Sequence, residues 1–150
     1  MKKRLVQYYY LSPTHVDSNR VLEVLSSQMH DRATLGLGYL KPGAANQLWM
    51  FVPCGDGFYE ILNKNSLRVL DDAESCRYPG CPVHQFGRHG LANQHWRIKK
   101  ADTDNRIQII PKTNTSYSLD VGSQSTDRHA QMVLWHNWKG PNQIWRLIPA

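Results

Sequence analysis

Three kinds of side chain with complementary chemistry recur in each third of the chain. An acidic residue is followed by an aromatic residue and then by an asparagine seven positions after the aromatic one. A carboxylate accepts hydrogen bonds from neighbouring hydroxyl groups, an amide offers a donor and an acceptor, and an aromatic face takes an apolar C–H surface. This combination suits a saccharide. The three sets are Glu23, Tyr39 and Asn46; Asp71, Phe86 and Asn93; and Asp120, Trp135 and Asn142.

Each asparagine of these sets also opens a repeated pattern, Asn-Gln-x-Trp, which begins at Asn46, Asn93 and Asn142 with intervals of 47 and 49 residues. The acidic residues are 48 and 49 positions apart, so both patterns share one period. Three copies at near-equal spacing indicate an internally repeated fold. A unit of this size does not bury its own apolar face, so we expect three units to close around a shared core.

Short strands must position these side chains. Compact or alternating apolar runs are separated by Gly, Pro, Asn, Asp and Ser, and helix signals are poor. We predict an all-β fold of twelve strands in one domain, with repeats at about 5–53, 54–101 and 102–150. The predicted strands cover residues 6–11, 22–25, 34–39, 49–52, 58–62, 68–71, 83–86, 96–99, 106–110, 118–121, 132–135 and 145–148.

Length and composition agree with a single globular domain. The 150 residues include 5 Trp, 7 Tyr and 3 Phe, which is ample surface to bury and argues against disorder. Every apolar run is far shorter than a bilayer span, and the basic residues at 2–4 precede a polar segment rather than an apolar signal core. We therefore expect no membrane insertion and no export signal, and a cytoplasmic or non-classically secreted protein.

From about Tyr8 to Ile148 the chain resembles the ricin B-type lectins, whose three repeats each end in a Gln-x-Trp motif. The resemblance implies a β-trefoil of three four-stranded repeats with pseudo-threefold symmetry. It also implies that the motif residues are structural, the tryptophan in the central core and the glutamine bonded to backbone groups. These residues are Gln47, Trp49, Gln94, Trp96, Gln143 and Trp145.

The same resemblance assigns the acid, the aromatic residue and the asparagine to a shallow sugar pocket in each repeat, with galactose or N-acetylgalactosamine termini as preferred ligands. The third set matches the family closely and adds His136, Asn137 and Trp138, which we expect to contact a second sugar residue. The second set adds His84 as a polar contact. In the first, Glu23 replaces Asp, and its extra methylene pushes the carboxylate further into the pocket. We expect that site to be silent or differently selective.

Shallow sugar sites are weak one at a time. A monosaccharide has roughly 12 heavy atoms, and at about 0.3 kcal/mol each the dissociation constant lies near the millimolar range. We therefore expect two or three sites to act together on glycoproteins or glycolipids, where avidity raises binding by roughly 10²- to 10⁴-fold. A homodimer would add further sites, and the sequence leaves it open.

Three cysteines, Cys54, Cys76 and Cys81, leave at least one thiol free. The odd count in a chain of this length favours free thiols and a reducing compartment. Two alternatives remain open: a local disulfide between Cys76 and Cys81, and a zinc site that these two cysteines form with His84 and His89. The spacing matches no established zinc-finger pattern, and we expect no metal and no cofactor.

The net charge is +6, but the basic residues are scattered, and the clusters at 2–4 and 97–100 belong to no nucleic-acid motif. Hydrolase and phosphate-binding signatures are lacking as well, so we expect neither nucleic-acid binding nor enzyme activity. Two alternatives to a lectin remain: an interaction module such as a protease inhibitor or a toxin-associated subunit, and a heparin-like polyanion binder. The acids and asparagines also have a structural interpretation as turn-forming residues.

Overall fold

The computed structural model describes residues 7–75, 78–102 and 105–150, and within these ranges the chain forms twelve short strands. No helix in the described ranges is long and apolar enough to span a membrane. The strands are β1 (Tyr9–Pro13), β2 (Arg20–Val24), β3 (Leu35–Tyr39), β4 (Trp49–Gly55), β5 (Phe58–Asn63), β6 (Val69–Asp72), β7 (Cys81–Phe86), β8 (Trp96–Lys100), β9 (Arg106–Pro111), β10 (Tyr117–Val121), β11 (Met132–His136) and β12 (Trp145–Pro149).

Six of these strands close into a barrel. Strand β4 pairs with β1 and β5, β12 pairs with β1 and β9, and β8 pairs with β9 and β5, all antiparallel. The closed ring leaves no unpaired sheet edge among these six strands. The other strands form three hairpins, β2–β3, β6–β7 and β10–β11, one in each third of the chain. This arrangement of barrel and hairpins is that of a β-trefoil.

The tryptophan of each Asn-Gln-x-Trp motif is fully buried in the centre of the core, at 0% exposure. Its indole N–H donates to a backbone carbonyl in the first strand of its own hairpin, at 3.1 to 3.2 Å. A buried indole N–H without a partner would cost free energy, so this bond fixes the hairpin on the barrel. The bonded pairs are Trp49 with Leu22, Trp96 with Leu70, and Trp145 with Leu119.

The glutamine of each motif joins two segments of backbone. Its Nε2 donates at 2.8 Å to a carbonyl at or just after the end of the hairpin, and its Oε1 accepts an N–H from the following loop at 2.9 to 3.1 Å. The side chain is therefore structural, as the resemblance implies. The bonds join Gln47 to Tyr39 and Lys41, Gln94 to Gly87 and His89, and Gln143 to His136 and Trp138.

The three hairpins also contact one another in cyclic order. A backbone bond links the first hairpin to the second, another links the second to the third, and a third bond closes the circle. As a result, a loop of one hairpin lies at the side of the next. The bonds run from Arg32 N to Gln85 O at 2.8 Å, from Gly80 N to Leu134 O at 2.7 Å, and from Leu37 N to Arg128 O at 2.9 Å.

The cysteines differ from one another. Cys54 is a free, exposed thiol, which confirms that at least one thiol is free. Cys81 is buried and disulfide-bonded, so the expectation of a free thiol is wrong there, because an odd count requires only one unpaired cysteine. Cys76, the basic residues at 2–4 and residue 6 of the first predicted strand lie outside the described residues. Among the residues that are described, no group of three or more His, Cys, Asp or Glu side chains is arranged to hold a metal ion.

Candidate functional site

The acidic residue of the third hairpin is buried and held by amide donors. Asp120 lies on β10, opposite Val133 of β11, and is only 3% exposed. Asn142 donates through Nδ2 to its Oδ1 at 3.1 Å, and Gln143 donates through Nε2 to its Oδ2 at 2.8 Å. Burial raises the pKa of Asp120 to about 6, although both hydrogen bonds oppose the rise. In the described part of the chain, Asp120 forms no ion pair.

Two tryptophans stand beside this carboxylate. Trp135 is 43% exposed and Trp138 is 53% exposed, so both lie at the surface rather than in the core. Together with Asp120 and Asn142 they line a cavity of about 520 Å³, which falls in the usual size range of small-ligand sites. We call it the third cavity because it lies at the third hairpin. Its other lining residues are Gly80, Gly122, Ser123, Gln124, Gln131 and Val133.

The position of Trp138 depends on a glycine. A Cβ atom at Gly140 would overlap with the indole ring, so the ring packs directly on the Gly140 backbone. The backbone N–H of Trp138 donates to Oε1 of Gln143 at 3.1 Å, and the same glutamine holds Asp120 through its Nε2. The tryptophan loop and the carboxylate are thus positioned by one shared side chain.

Asn142 retains hydrogen-bonding capacity. Its Nδ2 donates to Asp120 and to the carbonyl of Val121 at 3.0 Å. Its Oδ1 is buried and accepts no hydrogen bond from any described residue. Buried polar atoms in proteins are nearly always paired, and Asn142 lines the third cavity. A hydroxyl group of a ligand is chemically suited to supply the missing donor.

His136 and Asn137 were predicted to contact a sugar, and the structure does not bring them to the third cavity. The ring of His136 packs edge-on against Tyr117, with 5.1 Å between centroids, and His136 is not among the lining residues. Oδ1 of Asn137 accepts from Nε2 of Gln108 at 2.7 Å and from the backbone N–H of Lys139 at 3.1 Å. Tyr117 of β10 and Gln108 of β9 thus hold these two side chains away from the third cavity, and their contact with a second sugar residue stays a prediction.

In the second hairpin, histidines engage the corresponding carboxylate. Asp71 is 3% exposed and lies opposite His84, whose Nε2 is 3.0 Å from its Oδ1. Nε2 of His89 lies 3.7 Å from its Oδ2. Asn93 and Gln94 also donate to Oδ2, at 3.2 and 3.0 Å. The structure therefore brings together the predicted Asp71, His84 and Asn93, and it adds His89, which no sequence pattern indicated at this carboxylate.

Other side chains border the aromatic ring of the second hairpin. The ring centroid of Phe86 lies 6.1 Å from that of His84 and 5.9 Å from that of His89. The guanidinium carbon of Arg32, from the first hairpin, lies 5.5 Å from the same centroid. A ligand that stacks on Phe86 must therefore displace or contact these groups.

In the first hairpin the predicted aromatic position is wrong by one residue. The strand register places Gly38, not Tyr39, at that position. The reason is a longer loop: the carbonyl bonded by the motif glutamine lies eight residues before it in the first repeat and seven in the others. Counting back from the asparagine therefore selects the wrong neighbour. Tyr39 is 61% exposed, and the guanidinium carbon of Arg20 lies 4.5 Å from its ring centroid.

The carboxylate of the first hairpin fills the space beside this glycine. A Cβ atom at Gly38 would overlap with Oε1 of Glu23. Glu23 is 4% exposed, its Oε1 accepts from Gln47 at 3.0 Å, and its Oε2 lies 3.8 Å from Nη2 of Arg128. Asn46 donates to a backbone carbonyl at 2.9 Å and, among the described residues, not to Glu23. The three predicted side chains of the first set are not assembled into one site.

Sequence reasoning missed the residues that a turn and a neighbouring hairpin contribute to the third cavity. Gly80 reaches it through the backbone bond to Leu134, and a contact between repeats leaves no local signal in the sequence. Ser123 and Gln124 form the turn after β10, with φ of 54° and 51°. The sequence signal for these two residues is their position directly after the strand that carries Asp120, because loops that follow such a strand often carry binding residues.

The fold and the repeated carboxylate with its Gln-x-Trp motif define a β-trefoil of the lectin type. A family model described as a ricin-type beta-trefoil lectin domain-like family matches residues 4–86 and 92–150. The chain belongs to this family. The matched ranges contain every predicted site residue and leave out the loop at 87–91, which carries His89.

Solved structures share the fold. The chain is similar to the designed threefold symmetric protein ThreeFoil, with 30% identity, 94% of this chain and 97% of that chain covered, and a TM-score of 0.85. It is similar to part of an exo-beta-1,3-galactanase from Clostridium thermocellum, with 27% identity, 96% and 30% coverage, and a TM-score of 0.87. A Macrolepiota procera ricin B-like lectin in complex with lactose has the same fold, with 20% identity, 99% of each chain covered, and a TM-score of 0.76. A comparison with curated proteins finds no match.

Proposed function

We propose that the protein is a carbohydrate-binding lectin that takes a galactose- or N-acetylgalactosamine-type sugar in the third cavity. One observation carries the proposal: the exposed ring of Trp135 and the buried carboxylate of Asp120 line the same cavity. An aromatic face accommodates the C–H face of a pyranose, and a fixed carboxylate accepts hydrogen bonds from its hydroxyls. Membership of the family and the lactose-bound relative of the same fold support the assignment.

The binding chemistry divides among the lining side chains. Each oxygen of Asp120 receives one amide hydrogen bond, and an ionised carboxylate has about four acceptor positions, so it can still accept from two hydroxyls. Oδ1 of Asn142 accepts from a further hydroxyl. Trp135 supplies the stacking surface, and Trp138 extends that surface for a second sugar residue.

The three hairpins are unequal, and we propose that the third binds most strongly. The second holds a complete set, but a sugar there must displace the contacts of Asp71 with His84 and of Phe86 with Arg32. The first has glycine at the aromatic position and its own carboxylate in that space, and we propose that it is silent. Two working sites would then be the maximum for one chain.

We also propose that the chain is a single trefoil domain whose repeats, at about 5–53, 54–101 and 102–150, are related by a pseudo-threefold axis. The recurring indole and glutamine bonds and the cyclic contacts between hairpins support this. The proposed role is binding without catalysis. Because the chain spans only 30% of the galactanase, that enzyme's activity is not transferred to it.

Isothermal titration calorimetry with galactose, N-acetylgalactosamine, lactose and glucose tests the proposal. We expect dissociation constants near the millimolar range for the galactosides and weaker binding of glucose. Trp135→Ala should abolish binding at the third cavity. Tyr39→Ala is the matched control, because it also removes an exposed aromatic ring but one that lies outside the third cavity. Unchanged binding in Trp135→Ala, or no binding of any galactoside to the native chain, would reject the proposal.

A further inference from the structure

Another cavity, of about 460 Å³, lies where strands β8 and β9 meet the loop that carries Trp138. Its charge differs from that of the third cavity. Four of its ten lining residues are Lys or Arg and one is Asp, so its charge is positive and we call it the basic cavity. The lining residues are Thr14, Lys99, Lys100, Ala101, Asp102, Arg106, Gln108, Lys139, Pro141 and Ile144.

Three of these cations are free to meet an anion. Lys99, Arg106 and Lys139 are exposed, and across the described ranges they form no ion pair. Arg106 lies opposite Arg146 in the pairing of β9 and β12. Burial, and next the charge of Arg106, lower the pKa of Arg146. The positive charge at this end of the barrel is therefore not fully compensated, and an oxyanion would gain charge-assisted hydrogen bonds there.

One short segment separates the basic cavity from the third cavity. Trp138 and Asn142 line the third cavity, whereas Lys139 and Pro141 line the basic one. The segment is held in place because Oδ1 of Asn137 accepts both the backbone N–H of Lys139 and Nε2 of Gln108. Because Lys139 directly follows Trp138 in the chain, we expect a ligand that extends past the ring of Trp138 to reach Lys139.

We propose that the basic cavity binds the sulfate or carboxylate group of an acidic saccharide whose neutral terminal residue occupies the third cavity. This inference rests on the function proposed above and narrows its ligand class to acidic galactosides. Nucleic acid is a poorer match, because no aromatic residue is among the described lining residues, whereas proteins that bind single strands stack bases on aromatic rings.

Two tetrasaccharides with the same galactan backbone provide the test, a sulfated one from carrageenan and the neutral one obtained from it by desulfation, both titrated by calorimetry at low and high salt. The sulfated ligand should bind about tenfold more tightly at low salt, and the advantage should shrink at high salt because ionic screening weakens exposed charge pairs. Lactobionic acid, in which a terminal galactose is linked to gluconic acid, measured against lactose tests a carboxylate in place of the sulfate. Equal affinity within both pairs would overturn the inference and leave the proposed function standing.

Lys139→Asn is the decisive variant, because asparagine tolerates the positive φ of 57° at this position and removes the charge. It should cancel most of the advantage of the sulfated ligand and leave the affinity for the neutral one unchanged. Lys41→Asn, at an exposed lysine on the corresponding loop of the first repeat, should change neither. If sulfated ligand binds while neutral galactoside does not, and Trp135→Ala has no effect on it, the proposed function fails. If a single-stranded oligonucleotide competes as well as the sulfated ligand, the site is a general polyanion site and the inference fails.

Discussion

Gly80 of the second hairpin lies beside Trp135 of the third, so that a Cβ atom added to Gly80 would be 3.8 Å from Cζ3 of the indole. At the contact between the first and second hairpins the corresponding residue is Arg32, which lies over the ring of Phe86. The correspondence rests on the backbone, since Gly80 and Arg32 both have positive φ, 93° and 65°, and both donate their N–H to the next hairpin. A residue without a side chain therefore leaves Trp135 accessible.

Replacing Gly80 by Arg should close the third cavity. The new side chain would lie against Trp135, as Arg32 lies over Phe86, and we expect galactoside binding at least about tenfold weaker. An L-residue at φ 93° adds strain of about 1 kcal/mol, so the melting temperature should fall by a few degrees without loss of the fold. Calorimetry and thermal denaturation measure the two effects.

Gly90→Arg is the matched control for that variant. Gly90 also has positive φ, 79°, but a Cβ atom there would meet nothing within 4 Å. It should therefore show a similar loss of stability with unchanged sugar affinity. If Gly80→Arg binds the sugar as tightly as the native protein does, the absence of a side chain at position 80 is not what keeps the third cavity open.

The reverse change, Arg32→Gly, should strengthen sugar binding at the second hairpin. It removes the guanidinium group from the face of Phe86 and relieves a non-glycine residue at φ 65°. We expect a second binding event in titrations at high sugar concentration. In the double variant with Gly80→Arg, the remaining binding should come from the second hairpin and be lost on further replacement of Asp71 by Ala. A titration that still fits one weak site would show that the histidines, rather than Arg32, block this hairpin.

The raised pKa of Asp120 predicts opposite effects of pH on binding and on stability. Binding needs the ionised carboxylate as an acceptor, so with a pKa of about 6 the apparent affinity should fall about tenfold by about pH 5. For stability the sign is reversed, because a carboxyl whose folded pKa lies above 3.8 costs stability once it is ionised. That cost is complete above about pH 6 and disappears as the pH falls below about 4.

The comparison of native protein with Asp120→Asn isolates both effects of this carboxyl. The variant should bind weakly with a flat pH profile, and the difference in unfolding free energy between the two proteins should shift in favour of the native chain as the pH falls from 7 to 5. Native binding that stays constant over this pH range would show that the carboxylate is not the acceptor.

Local sequence patterns predicted most of the fold, because the signals for strands and turns lie within a few neighbouring residues. All twelve predicted strands overlap observed ones, and the motif residues Trp145 and Gln143 make the buried bonds that a structural role requires. The errors arise where geometry depends on loop length or on another repeat. One extra loop residue shifted the aromatic position from Gly38 to Tyr39, and Gly80 reaches the third cavity from a different hairpin.

A double-mutant cycle tests why the first hairpin is closed. In Gly38→Ala the new methyl group overlaps with the carboxylate of Glu23, which must leave its hydrogen bond with Gln47 while still buried. We expect a loss of about 2 to 3 kcal/mol in unfolding free energy. Glu23→Asp withdraws the carboxylate by one methylene, so the double variant should be more stable than Gly38→Ala alone by about 1 kcal/mol or more. Urea denaturation measures all four proteins, and strictly additive effects would mean that the long carboxylate does not occupy the space beside Gly38.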